Sequence, residues 1–298
     1  MLFRLSIFSV TFLLSVFVIG KLDAQPRENP IFISGIYPHL TTYADNGNLR
    51  GNLNECGIGA VVPWAGKLWM VNYAAHEPDG SDHKLYSVGE DLKLTIHPES
   101  VGGTPAGRMI HKESNQLLIA HYVIDAQGKV RAVSPQVMPG RITAFTRHLK
   151  DPANWVYVID MEGMIYELNV HSLEVNKLFH KSVPGWHAKG AYVSQGRLVI
   201  ANNGEHVGGS FRRGITEEEA EAILKRIEAK HEDERGVLAS WDGDYWEVVE
   251  RKQYTDVMGP GGLYGNSNDS DPIWSIGWDN RSLRLKLLDD GEWHTYLL

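Results

Sequence analysis

A single cysteine, Cys56, stands among the 298 residues, so no disulfide can form within the chain and its stability has to come from packing. Basic runs are missing as well. Lys and Arg number 29 against 37 Asp and Glu, a net charge of −8, and no cluster of cations interrupts that balance, so nucleic acid is not an expected partner. Long hydrophobic runs are absent beyond the N-terminus. There, Met1-Leu-Phe-Arg4 and the apolar stretch from Leu5 to Gly20 have the two-part pattern of an export signal, in a run too short for a comfortable membrane span. The expectation is a signal peptide over residues 1–24, cut after Ala24, leaving residues 25–298 as a monomeric domain in the periplasm or outside the cell with no membrane attachment; the alternative is that the segment stays uncleaved as an N-terminal anchor. Gly-x-Ser-x-Gly, phosphate-loop and dinucleotide patterns are lacking, which leaves esterase, kinase and dehydrogenase chemistry without support. Thirteen histidines form no helical ligand pair, and neither a Cys-x-x-Cys nor a calcium loop is present, so no metal and no cofactor are expected. The densest group, His76-Glu-Pro-Asp-Gly-Ser-Asp-His83, reads as a solvated hairpin loop.

What the chain does have is short apolar-alternating runs separated by Gly, Asn and Asp turns, the pattern of many strands and few helices. A turn followed by a strand recurs at Ala65-Gly-Lys-Leu-Trp69, Ser114-Asn-Gln-Leu-Leu118, Ala153-Asn-Trp-Val-Tyr157, Gln195-Gly-Arg-Leu-Val199, Asp242-Gly-Asp-Tyr-Trp246 and Asp279-Asn-Arg-Ser-Leu283, spaced 37 to 49 residues apart. That spacing matches one four-stranded propeller blade, and radial repetition gives each small sheet a neighbour on which to bury its faces. The fold class expected is all-β, a β-propeller. At about 45 residues per blade, residues 25–298 hold five to six blades, and the closing Glu292-Trp-His-Thr-Tyr-Leu-Leu298 reads as a strand, which suggests a C-terminally truncated ring. One segment departs from the β pattern. Thr216 with Glu219 forms a capping box ahead of Ala220, Ile223, Leu224 and Ile227, predicting an amphipathic helical insertion near 216–234 on the surface between blades.

Several stretches carry a family resemblance. Gly35-Ile-Tyr-Pro-His39-Leu, Asn54-Glu-Cys-Gly-Ile-Gly-Ala-Val-Val-Pro-Trp64, Gly102-Gly-Thr-Pro-Ala-Gly-Arg108-Met-Ile-His111, Pro184-Gly-Trp-His187-Ala-Lys189-Gly, Ala201-Asn-Asn-Gly-Glu205 and Gly259-Pro-Gly-Gly-Leu-Tyr-Gly265 resemble the α-L-rhamnosidases of glycoside hydrolase family 145. A more distant similarity connects them to the ulvan lyases of polysaccharide lyase families 24 and 25. The resemblance implies a seven-bladed propeller that removes terminal α-L-rhamnose from glucuronic acid in acidic plant glycans such as arabinogalactan. It also implies a histidine as the main catalytic group, which maps to His39 through its Tyr-Pro-His setting. An imidazole, with an unperturbed pKa of about 6.5, can give a proton to a leaving oxygen and take one from water. The substrate's own uronate supplies a negative charge where most glycosidases use a second carboxylate. The residues expected to bind this acidic oligosaccharide or polysaccharide are Glu55, Arg108, His187, Lys189, Asn203 and Glu205.

The alternative is β-elimination at a uronate. It needs a base, a cation on the carboxylate and an acid for the leaving oxygen. His111, His121 and His187 are the candidate bases and Tyr166 the acid, with Arg108 or Lys189 as neutraliser, if these converge on one end of a propeller channel. Two departures weaken this reading: Pro105 stands where the lyase branch carries histidine, and His180-Lys181 where it carries arginine. A third reading is a propeller that binds glycan without cutting it. Trp64, Trp69, Trp186, Trp274 and Trp278 are candidates for stacking on a sugar ring, although most such side chains serve as blade core.

Overall fold

The turn residues and alternating apolar positions resolve into strands in a computed structural model, which describes residues 57–73, 85–101, 106–180, 183–185, 187–204, 236–266, 268–278 and 283–298. All of them belong to the compact unit Gly35–Leu298. They form twenty strands in five antiparallel sheets, each a meander of four consecutive strands. The first sheet is β1 (Gly57–Trp64), β2 (Lys67–Tyr73), β3 (Leu85–Val88) and β4 (Leu94–Ile96). The second is β5 (Arg108–His111), β6 (Gln116–Ile119), β7 (Tyr122–Asp125) and β8 (Val130–Ala132). Then come β9 (Ile142–Arg147), β10 (Trp155–Asp160), β11 (Met164–Asn169) and β12 (Val175–His180). The fourth sheet is β13 (Ala188–Ser194), β14 (Arg197–Asn202), β15 (Val237–Trp241) and β16 (Trp246–Glu250), and the fifth is β17 (Gln253–Met258), β18 (Ile273–Trp278), β19 (Leu283–Asp289) and β20 (Glu292–Leu297).

Successive sheets pack face to face, and the second strands show why. In β6, Leu117 and Ile119 point to the first sheet while Leu118 points to the third. In β10, Val156 and Val158 face the second sheet, and Tyr157 and Ile159 the fourth. In β14, Leu198 and Ile200 face the third sheet, and Val199 and Ala201 the fifth. A strand buried on both faces reads as a continuous apolar run, and each such Leu, Ile or Val contributes about 1.5–3 kcal/mol by leaving water. The first strands adjoin one another, β5 on β9, β9 on β13 and β13 on β17, so they form the inner edge of the stack. First strands inside, four-strand meanders and four cores between five sheets make this a β-propeller.

Ala65-Gly66, Gln195-Gly196 and Asp290-Gly291 all have positive φ and close two-residue hairpins between β1 and β2, β13 and β14, and β19 and β20. This mirror-image turn matches the strand twist. The sequence repeat therefore needs correction. Its first four copies do open the second strand of successive sheets, but Asp242-Gly243 opens the fourth strand of its sheet, and 279–282 precedes the third strand of the fifth. The last two copies show that the motif marks a turn that opens a strand, not a fixed strand of each blade. In the fifth sheet the first and second strands are joined by the long segment 259–272, with a 3-10 turn at Gly262–Tyr264. The expected helix at 216–234 and the signal at 1–24 lie outside the described residues, which build five sheets where the resemblance implies seven blades. Glu292–Leu297 is the fourth strand of the fifth sheet.

Candidate functional site at the mouth of the central channel

The inner strands enclose a channel of about 350 Å³ lined by residues of β5, β9, β13 and β17. At the end where these strands begin lie Arg108, Thr143, Lys189 and Thr255. Towards the other end, Gly262, Leu263 and Gly265 of the long connection enter the lining. Gly261 N–H donates to the Tyr192 hydroxyl at 3.2 Å, and Gly265 packs against Arg147 and Met109, so this segment crosses from β17 towards β9 and β5. Among the described residues, the charged groups of the lining are two cations, Arg108 and Lys189, and one carboxylate, Asp256. Asp256 still meets water, but the surrounding walls remove part of its hydration and hold its pKa above the ordinary value, against the pull of the Val257 N–H and the nearby Arg108.

Behind this mouth is a buried polar cluster. Arg141, one residue before β9, donates from Nε to Glu162 Oε1 at 2.8 Å and from Nη2 to the same oxygen. Arg141 Nη2 also meets His187 Nε2 at 3.1 Å, and His187 Nδ1 meets Asn203 Oδ1 at 3.1 Å. A guanidinium only donates, so Nε2 must accept. His187 is therefore the neutral tautomer with its proton on Nδ1, given to Asn203. Arg141, Glu162, His187, Asn203 and Asp160 are all buried. The main chain repeats this arrangement around the mouth. Ala120 N–H donates to Gly107 O, Met161 N–H to Arg141 O and Asn203 N–H to His187 O, at equivalent positions of three sheets. Ile142 O accepts from Ala106 and Gly107, and Met161 O from Ala188, which joins each of these sheets to the next.

Arg108 and Lys189 thus stand on the channel wall, while His187 and Asn203 are bonded to each other behind it. Lys189 Nζ reaches Met161 Sδ at 4.0 Å. His39, Glu55 and Glu205 lie outside the described residues, as do His76, His83, Pro105, Lys181 and Trp186. The candidate lyase residues do not converge. His111 sits at the opposite end of β5, fully buried, with Nε2 on Pro152 O at 2.7 Å and Nδ1 on Ser114 Oγ at 2.7 Å, and burial lowers its pKa. His121, also lowered by burial, donates to Met138 O at 2.9 Å. Tyr166 has no exposed surface, donates to Pro139 O at 2.7 Å, and is pushed far up by burial and by the carboxylates of Asp160 and Glu162. His187 offers its lone pair to Arg141. His121 and Tyr166 instead clamp the consecutive carbonyls 138 and 139 that lead through Gly140 to Arg141.

Sequence reasoning passed over Arg141, Asp160, Glu162 and Asp256. A signal existed for the carboxylates: Asp160-Met-Glu162 follows its second strand in the same phase as Asn202-Asn-Gly204, a stretch the sequence did single out. Of the stacking candidates, Trp64 and Trp69 belong to the core between the first two sheets, with their indole N–H groups on Asp125 O and Trp64 O. Trp274 is half-buried on β18, and the side chain of Trp278 lies outside the described set. Among the described residues no group of three or more His, Cys, Asp or Glu converges as a metal site.

No family model matches the chain, and neither does any curated protein. Solved structures that align with it include one described as a nidogen/laminin complex, at 10% identity over 81% of this chain and 80% of that one, with a TM-score of 0.46. A putative TolB from Agrobacterium tumefaciens aligns at 12% identity over 81% of each chain with a TM-score of 0.44. The WD40 domain of Pan2 from Neurospora crassa aligns at 8% identity over 81% and 79%, with a TM-score of 0.42. With scores this low, these likenesses add nothing to the sheet order and inter-sheet packing on which the propeller assignment rests.

Proposed function

We propose that the chain is an exported glycoside hydrolase that removes terminal α-L-rhamnose from a glucuronic acid, binding the uronate carboxylate between Arg108 and Lys189 at the mouth of the central channel. The supporting observation is the charge of the channel wall: in a chain of net −8, the described residues of the lining include two cations, Arg108 and Lys189, and a single carboxylate. Low-dielectric walls focus the field of such cations on an entering anion, and Arg and Lys each give a carboxylate charge-assisted hydrogen bonds. The hydroxyls of Thr143 and Thr255 stand at the same end and match the hydroxyl edge of a sugar. The volume falls within the range of small-molecule pockets. In this reading His39 moves the proton, as the resemblance implies. Elimination is not favoured, since the lone pair of His187 is engaged, Tyr166 is closed off from solvent and His111 stands at the far end.

The test is to incubate the full chain with a rhamnose-capped glucuronide and, separately, with ulvan, recording free rhamnose and the absorbance of unsaturated uronate. Free rhamnose alone is expected. Arg108→Ala and Lys189→Ala are each expected to raise KM about tenfold, the size of one lost charged hydrogen bond, and His39→Ala to abolish release. New absorbance instead would identify a lyase. Binding of glucuronate with neither product would leave a non-catalytic glycan-binding propeller, and wild-type KM in both cation variants would remove the channel from the site.

A further inference from the structure

The turn Asp160–Gly163 joins β10 to β11 and carries two carboxyl groups into the interior behind the channel. Glu162 takes both Arg141 bonds on Oε1. Its other oxygen, Oε2, is buried and receives no donor among the described residues. Asp160, two residues before Glu162 in the same turn, is buried as well and accepts Met164 N–H on Oδ1 at 2.8 Å. Among the described residues, the other charged and titratable groups around the turn are Arg141 from the start of β9, Tyr166 from β11, and His187 and Lys189 from the start of β13. Tyr166 directs its proton to Pro139 O, and His187 is neutral and accepts from Arg141, so neither donates to Glu162 Oε2. Among the described residues a single arginine therefore faces two buried carboxyl groups of one turn, and a proton on Asp160 satisfies the oxygen left without a donor.

We infer that Asp160 and Glu162 share one proton, given by Asp160 to Glu162 Oε2, and that this proton is the latch that holds the cationic mouth of the channel in place. The connection is short. Between the two carboxyls sits Met161, whose N–H bonds Arg141 O at 2.9 Å, whose carbonyl accepts Ala188 N–H at 3.0 Å and whose sulfur meets the Lys189 ammonium. Loss of the proton sets two buried anions against each other and displaces the turn on which Lys189 rests. Burial, then the charge of Glu162, raises the pKa of Asp160 well above its ordinary value, in keeping with a retained proton. The sign follows from linkage. From about pH 4, where an unfolded aspartate ionises, up to the folded value, only the folded chain keeps this proton, so stability falls as pH rises through that window, by about tenfold in the folding constant per pH unit. Below the window there is no penalty, and above it the penalty is constant.

The functional half of this inference rests on the reading of the channel as a uronate site, and the experiment separates the two. Carboxyl-carbon NMR of the wild-type chain is expected to show Asp160 protonated at pH 7. Asp160→Asn places an amide donor at the same position, keeps an acceptor for Met164 N–H and cannot titrate. Its melting temperature should exceed that of wild type at pH 8 and vary less between pH 5 and 8, while Asp160→Ala should melt lower at both. An Asp160 carboxyl that titrates near 4, or an Asn variant as destabilised as the Ala variant, overturns the shared proton. Glucuronate affinity measured by calorimetry from pH 5 to 9 should fall about tenfold in wild type and stay flat in Asp160→Asn. The same slope in both overturns the latch. No glucuronate binding at any pH, with Asp160 still protonated, defeats the uronate reading and the latch together but leaves the proton pair standing.

Discussion

At the scale of single residues, the site depends on which groups are allowed only one role. Arg141 can only donate, and that property fixes the tautomer of His187 and makes Glu162 Oε1 an acceptor. His187 holds φ at +69°, an uncommon conformation for a non-glycine residue, and does so with its main-chain carbonyl tied to Asn203 and its ring tied on both sides. Gly140 reaches Arg141 with φ at +125°, and a Cβ there would overlap the Asp160 carboxyl. Gly140→Ala is therefore expected to destabilise the fold by about 2–4 kcal/mol in urea unfolding, through backbone strain and loss of the carboxyl's place. A change under about 0.5 kcal/mol, the usual size for an uncrowded surface site, would show that the segment relaxes freely. Of the residues in this cluster, His187 and Asn203 were legible in the sequence because they sit in unusual motifs. Arg141 and Asp160 were not, because one arginine before a strand and one aspartate after it look like ordinary solvated turn residues until burial is known.

Turn chemistry dominates at the scale of elements. Ala65 and Gln195 occupy the same left-handed position of the same hairpin type, with φ at 48° and 51°, yet they should respond oppositely to glycine. Ala65→Gly relieves the strain of a Cβ in that region and is expected to stabilise by about 1 kcal/mol. Gln195→Gly gains the same relief but loses the side-chain bonds to Asp271 O, Leu288 O and Gly291 N that fasten the fourth sheet to the fifth, and should destabilise by about 1–2 kcal/mol net. Thermal melts of the two variants, side by side, check this, and equal shifts of the same sign would refute it. The pair also shows how far a local motif reaches. Ala65-Gly66 and Gln195-Gly196 announce their hairpins from sequence alone, whereas the interblade role of Gln195 depends on residues 76 to 96 positions away.

On the scale of the whole molecule, each sheet packs only on its neighbours, so damage should stay local before it spreads. Ile142 is fully buried in the core between the second and third sheets. Ile142→Ala is expected to cost about 2–5 kcal/mol, and hydrogen exchange should rise first in β5–β12 while β17–β20 keep their protection. Uniform acceleration across all five sheets would instead mean that the propeller unfolds as one unit. Charge shows the same division between local and global: the net −8 is a property of composition, but the cationic lining of the channel exists only because β5 and β13, about 80 residues apart in sequence, are brought to one axis. The sequence by itself determined the strands, most of the hairpins and the radial repetition, since alternation and turn residues act over a few positions and a small sheet must bury both faces. Only the tertiary structure decided that the last two repeats fall at other strands, that His111 and His187 lie at opposite ends of the inner strands, and that Arg141, Asp160 and Glu162 meet. Those outcomes depend on burial and on distances between chain-remote groups, and both arise only once the sheets have stacked.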